Sequence, residues 1–308
     1  MRMRIKNLLK TTALTALLLI GAKVGWGQAT LPHYDGLNYT VGQALQTQSG
    51  WTAVNTGDDI LVASGNLTYT GLYGSTGNKI SFADAGIDAY KTLTTQNTGT
   101  VYYSFIMNVT GLSTLNATGG YFTGFGQNST TFGATVWTGL DGTGYKIGIN
   151  PRTSTTTNMV WVTGTQTLNN SVFVVVSYTF NASSGDDVVN IWVNPDPSTL
   201  GGASAPAVSA TVTNTSGTDL TGISQFFIRQ DSNTETPYLE MDELRVGTSW
   251  ADVTPKETTP PATSFNPANS ATGVEPSSNI VVTFDEAVRN LDASDIADPT
   301  TLITLKET

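Results

Sequence analysis

Residues 172–193 read VFVVVSYTFNASSGDDVVNIWV. Val172, Val174, Val176, Tyr178 and Phe180 recur with a period of two, which places them on one face of a β-strand. The opposite face begins with Phe173 and Val175, so this strand is apolar on both sides at its start. That pattern belongs to a strand in the middle of a covered sheet. The polar stretch NASSGD then turns the chain, and DVVNIWV returns as its hairpin partner.

The same texture extends outward in both directions. In TVYYSFIMNV, Val101, Tyr103, Phe105, Met107 and Val109 share one face. Shorter runs follow the pattern: ILVA (60–63), KISF (79–82), YFTGF (121–125), ATVWT (134–138), YKIGI (145–149), MVWVT (159–163), SQFFIRQ (224–230) and LEMDELRV (239–246). Gly, Asn, Asp and Ser punctuate nearly all of them. Only TVGQALQ (40–46) reads as a helical turn. About ten short strands over residues 28–254 predict an all-β, antiparallel two-sheet sandwich of jelly-roll type.

The ends differ from this body. Residues 1–27 combine a basic start (Arg2, Arg4, Lys6, Lys10) with an apolar run from Ala13 to Ala22 and then small residues, the layout of a secretory signal peptide. The run is too short for a lasting bilayer anchor, which takes about 20 apolar residues. Residues 255–263, rich in Pro and Thr, read as a linker. Residues 264–308 begin a second β-domain, with Ile280, Val282 and Phe284 alternating as in a strand.

Without residues 1–27, nine Lys and Arg face 24 Asp and Glu, and the formal charge moves from −10 to −15. Such a chain is poorly suited to nucleic acid or anionic lipid, which need basic contacts. Neutral glycans and divalent cations remain open as partners. The chain has no cysteine, so an exported form must be stabilised by burial, with bound cations as the possible supplement. The lone histidine, His33, excludes a zinc site with several histidines, and a place in solvent beside the new N-terminus is expected for it.

Two stretches resemble known families. FNPANSATGVEPSSNIVVTFDEAVRNLD (265–292) resembles the opening of bacterial Ig-like domains of the SbsA type. The resemblance implies a spacer or interaction module that continues past Thr308. The larger body resembles the concanavalin A-like, laminin-G-like sandwiches of secreted bacterial proteins. The likeness rests on YDGLNYTVGQAL (34–45) with SGW (49–51), on VVVSYTF (174–180) with DDVVNIWVNP (186–195), and on MDELRVGTSWADV (241–253). It implies a secreted or cell-surface location and leaves lectins, adhesins, glycoside hydrolases and polysaccharide lyases all open.

The stretch YLEMDELRV (238–246) holds three carboxylates in four residues, Glu240, Asp242 and Glu243. A Glu-x-Asp-x-Glu strand would put all three on one face, where acid and nucleophile flank a glycosidic bond. Here Leu244 stands in the third position, so no catalytic residue is assigned. Strict alternation predicts Glu240, Asp242, Leu244 and Val246 on one face. It leaves Glu243 and Arg245 as an exposed pair. On that basis Asp242 and Asp35 are the candidate ligands of a structural Ca²⁺, with Asp58–Asp59 and Asp186–Asp187 as further turn acids.

Aromatic residues supply the remaining lead. Trp51, Trp137, Trp161, Trp192 and Trp250 are core candidates, and Trp161 and Trp192 are the candidates for stacking on sugar. The expectation is therefore a non-enzymatic adhesion or glycan-binding module. The alternatives are a polysaccharide-degrading enzyme on the same fold and a stalk without a ligand. The sequons at Asn38, Asn66, Asn108, Asn116 and Asn128 are the chance product of an Asn- and Thr-rich chain.

Overall fold

A computed structural model of the protein describes residues 28–284, apart from 75–76, 153–157, 216–217, 259–261 and 276. The expected signal peptide and residues 285–308 of the second domain lie outside the described residues.

In chain order the strands of the larger body are β1 (His33–Asp35), β2 (Trp51–Ala53), β3 (Leu61–Ala63), β4 (Lys79–Phe82), β5 (Ala89–Gln96), β6 (Thr100–Gly111), β7 (Gly120–Asn128), β8 (Thr131–Asp141), β9 (Gly144–Arg152), β10 (Val160–Trp161), β11 (Val172–Thr179), β12 (Val188–Val193), β13 (Ala210–Thr213), β14 (Ile223–Ile228) and β15 (Tyr238–Gly247). They form two antiparallel sheets. The first runs β13-β12-β11-β6-β15-β4-β3, with β1 also on β15, and the second runs β10-β9-β8-β7-β14-β5-β2. The all-β antiparallel sandwich is what alternation predicts. The helical turn expected at 40–46 is a 3-10 turn at Leu45–Thr47.

The core fills the gap between the sheets. Val101, Tyr103, Phe105, Met107 and Val109 of β6, and Val172, Val174, Val176 and Tyr178 of β11, meet Phe122, Phe125, Val136, Ile147, Ile149 and Phe226 of the second sheet. Each large side chain so buried contributes about 1.5–3 kcal/mol relative to exposure.

The first sheet is covered on its outer face as well. Phe173, Val175 and Ile106 pack there against Leu67, Leu72, Leu200, Trp192, Trp250 and Val253. This second core explains the two-sided apolar start of β11. Its lid includes the one-turn helix α1 (Trp250–Val253), which Ser249 and Asp252 close with a reciprocal capping box.

β15 departs from strict alternation. Its register against β6 shifts between Asp242 and Arg245, and Glu243 takes a left-handed φ of +58°. This is a β-bulge, and it flips the facing of everything after it. Leu239 and Met241 face the main core before it, and Leu244 and Val246 face the same core after it. Glu240 and Asp242 are thus on the outer face, apart from Leu244. The exposed Glu243–Arg245 pair expected from sequence is instead a buried ion pair of 2.5 Å, with side chains 0% and 4% exposed.

After β15 the chain stays tied to the larger body. Lys256 bridges Leu72, and Tyr73 and Glu257 exchange backbone bonds with Pro255 and Gly71. The predicted linker is therefore pinned at its first residues. Beyond it, β16 (Thr263–Asn266) and β17 (Val281–Phe284) pair antiparallel.

Candidate functional site

Among the described residues the second hydrophobic cluster packs on the first sheet, and the outer face of the second sheet is buried at Thr135, Trp137 and Phe227 but half-buried at Trp161 and Tyr121. Trp161 of β10 stands opposite Gly148 of β9, Gly148 opposite Trp137 of β8, and Trp137 opposite Tyr121 of β7. The three aromatic residues thus form one row across the strands. At about 4.8 Å per strand, Trp161 and Tyr121 stand about 14 Å apart. The Trp161 ring lies flat over the sheet because Gly148 and Gly139 have no Cβ. One built there would meet the ring at 2.7 and 2.8 Å. Lys146 sits 4.3 Å from the Trp161 ring centroid.

Around Tyr121 the rings are in mutual contact. Trp137 lies 5.5 Å from it, Phe227 6.0 Å and Phe132 6.3 Å, centroid to centroid. Trp161, Tyr121, Phe132 and Tyr90 are half-buried, whereas Trp137 at the centre of the row is 6% exposed and donates to Thr135 Oγ1, so the accessible ring area lies at the two ends of the row.

The row ends at a cation. The Arg229 guanidinium stacks 4.2 Å over Tyr121, and its Nη2 pairs with Asp231 Oδ1 at 2.6 Å. Its Nη1 is buried without a hydrogen bond, with Glu235 Oε2 4.0 Å away. Here an open pocket of about 400 Å³ is lined by Asn55–Asp58, Ala85, Gly86, Asp88 and Arg229–Asp231. Two acids beside it have raised pKa values. A hydrogen bond with Asp231, then burial, pushes Glu235 up to about 7. Burial raises Asp88.

The carboxylates singled out from sequence lie elsewhere and hold structure together. Glu240 pairs with Lys79 at 2.8 Å and accepts from Asn108. Asp242 accepts the backbone N–H of Leu67 and of Glu243. Glu243 accepts from Tyr34 at 2.7 Å and from Arg245, whose guanidinium also lies over the Tyr34 ring and donates to the Tyr73 carbonyl. Asp242 and Glu243, the latter with Arg245, thus clamp the 67–73 segment and β1 to the closing strand, and Glu240 ties that strand to β4 and β6, on the opposite side of the sandwich from the aromatic row.

Asp35 is similarly engaged. It accepts from the Leu37 N–H, the Tyr39 hydroxyl and the Trp51 indole, and it pairs with Lys91 at 2.6 Å. Burial works to raise its pKa, but Lys91 and the hydrogen bonds outweigh burial and lower it. His33, expected in solvent, is partly buried beside this pair. Burial first and Lys91 second lower its pKa.

Among the described residues, the acids with ligand atoms within 4.8 Å of one another are Asp186, Asp187 and Asp219. Protein donors hold two of them: Tyr178 and the Asn181 N–H on Asp187, and Gly185, Asp186 and Asn214 on Asp219. Trp192 is 3% exposed, packs edge-on against Trp250 and donates to the Pro206 carbonyl. It offers no face to a ligand.

Arg229, Asp88, Asp231 and Glu235 were not singled out from sequence. The period-two pattern of SQFFIRQ does put Gln225, Phe227 and Arg229 on one face, which is the signal available for them.

Residues 256–308 match the family model of a bacterial Ig-like domain. No curated protein matches the chain. Among solved structures, domain 4 of AbnA, an extracellular arabinanase of Geobacillus stearothermophilus, solved with arabinotriose, is similar at 12% identity. The match covers 73% of this chain and 96% of that one, with a TM-score of 0.41. An endo-β-1,4-glucuronan lyase of Trichoderma reesei is similar at 17% identity, 73% and 99% coverage and a TM-score of 0.36. An endo-1,3-β-glucanase of Streptomyces sioyaensis is similar at 13% identity, 70% and 94% coverage and a TM-score of 0.38. Likenesses this loose leave function to the chain's own residues. Among the described residues no helix is long and apolar enough to cross a membrane.

Proposed function

We propose that the larger body is a non-enzymatic glycan-binding module of an exported, extracellular or cell-surface protein. The observation that carries this reading is the pair of half-buried rings, Trp161 and Tyr121, set in cross-strand register on either side of the buried Trp137. Flat aromatic area with a few polar groups at one end suits the apolar faces and hydroxyl edges of sugar rings. The export-type N-terminus and the Ig-like match at 256–308 support the location. The acidic surface supports a neutral glycan over nucleic acid as partner.

An enzymatic reading has one observation in its favour, the raised acids Glu235 and Asp88 near the row. Asp231 and Glu235, however, both pair with the Arg229 guanidinium, at 2.6 and 4.0 Å. A retaining glycosidase holds its two carboxyls about 5–5.5 Å apart, with the sugar between them.

The test is affinity electrophoresis of the whole chain through gels containing laminarin, arabinan, xylan or galactan, with a reducing-end assay run alongside. Retardation that Trp161→Ala abolishes, without sugar release, is expected. Release of reducing ends would replace binding with hydrolysis. Free migration in every gel would leave a stalk without a ligand.

A further inference from the structure

We infer that the pocket at the Arg229 end of the aromatic row takes the terminus of a neutral saccharide chain, so that the module grips glycan ends. The inference rests on the glycan-binding reading above.

The row has a direction. It runs from Trp161 at the sheet edge through Trp137 and Tyr121 to Arg229. There the strands give way to the walls formed by Asn55–Asp58 and Ala85–Gly86. A chain lying on the rings is led into the pocket between these walls.

Those walls are braced. Gln230 Nε2 donates to the Asp58 carbonyl at 2.8 Å and the Ile87 carbonyl at 3.2 Å, and its Oε1 accepts the Ala83 N–H. Asp88 accepts the Gln230 N–H at 3.0 Å, and Asn55 accepts the Asp88 N–H at 2.6 Å. Asp58 and Gly86 add a parallel bridge. The pocket is thus formed before any ligand arrives, so little ordering cost is left for binding. Its volume of about 400 Å³ falls in the range of small-ligand sites.

The polar groups fit hydroxyls. The Arg229 guanidinium supplies the donor, and Asp58, Asp88 and Asp231 are acceptors on the same walls. A donor and acceptors side by side match the adjacent hydroxyls that a terminal sugar presents and an internal one has lost to its linkage. The charge balance argues against uronates. Asp231 already offsets the one arginine, so a sugar carboxylate would meet more negative than positive charge.

The test compares the four neutral polysaccharides above, intact and after partial hydrolysis, at equal mass. If ends are gripped, shortening the chains tenfold lowers the half-saturating mass by about tenfold, because the molar number of ends rises as much. Arg229→Gln and Asp231→Asn, each checked for an unchanged melting profile, weaken binding about tenfold or more, as the loss of a charge-assisted hydrogen bond would. A half-saturating mass unaffected by shortening overturns end recognition while leaving the Trp161-dependent row intact. Stronger retention on shortened polygalacturonate or chitosan than on shortened neutral chains overturns the neutral assignment. Failure of every polysaccharide to bind takes down the glycan reading and the pocket with it. The shortening experiment on the unaltered chain needs no variant to fold.

Discussion

Glu243→Ala separates the bulged strand seen here from the regular strand that alternation predicts. In the structure the Glu243 carboxylate is fully buried, accepts from Tyr34 and pairs with Arg245. Removing it strands a guanidinium that is 4% exposed, with only the carbonyls of Glu243 and Tyr73, each at 3.3 Å, to receive it. Breaking one side of a buried pair costs about 3–5 kcal/mol. For a body of this size that is a fall of about 6–20 °C in melting temperature. Urea unfolding of residues 28–308 measures the cost directly. Glu240→Ala is the control in the same stretch. Its pair with Lys79 is nearer the surface, with side chains 18% and 17% exposed, and its loss should cost about 1 kcal/mol or less. Glu243→Gly adds an internal check. It loses the same carboxylate but relieves a left-handed φ of +58°, worth about 1–2 kcal/mol, against about 0.4–1 kcal/mol of added chain entropy. The glycine variant should therefore melt at or above the alanine variant. A Glu243→Ala chain within about 1 kcal/mol of wild type would refute the bulge and the buried pair together.

Asp35→Ala, which strands Lys91 at 7% exposure, should cost about 3–5 kcal/mol in the same assay. Because the folded pKa of Asp35 is lowered, its stabilisation is present above about pH 4 and is lost as pH falls below it. A melt series from pH 6 to pH 2 should show the loss in wild type and not in the Asp35→Asn, Lys91→Met double variant. Glu235 has the opposite sign: its folded pKa is raised to about 7, so stability should decline as pH rises from about 4.5 through 7, and Glu235→Gln should flatten that decline. Asp219→Ala should cost about 1–3 kcal/mol by stranding the N–H groups of Gly185 and Asp186. Melts of the wild type with Ca²⁺ and with EDTA test whether Asp186, Asp187 and Asp219 also hold a cation. Protein donors already hold two of the three, so equal melting temperatures are expected, and a rise with Ca²⁺ that Asp219→Asn abolishes would make them a metal site.

The sandwich was legible because its two central strands obey strict alternation over many residues. The inward faces of β6 and β11 are the residues that period two selects, and Phe173 with Val175 marks β11 as covered on both sides. The bulge was not legible. A left-handed residue is usually signalled by Gly or Asn, and here it is a glutamate, so the phase of β15 changes without notice. The two tryptophans proposed for sugar were indistinguishable in sequence, since both stand in short apolar strands. Their fates are set by what covers each sheet: Trp192 lies under the 200–206 segment and α1, whereas Trp161 lies over two glycines, beside Lys146, and stays half-buried. The Arg229 pocket draws on residues 55–58, 85–88 and 229–231, which only the fold brings together.

The most direct measurement is a ¹⁵N spectrum of the indole N–H groups of residues 28–308 during titration with partially hydrolysed neutral polysaccharide. Five indoles are present, from Trp51, Trp137, Trp161, Trp192 and Trp250. The resonance of Trp161, the half-buried indole, should shift in a saturable way, while those of Trp51, Trp192 and Trp250, buried in the two cores, should stay in place. Shifts at Trp192 or Trp250 with none at Trp161, or binding that moves no indole, would contradict a glycan-binding face on the second sheet.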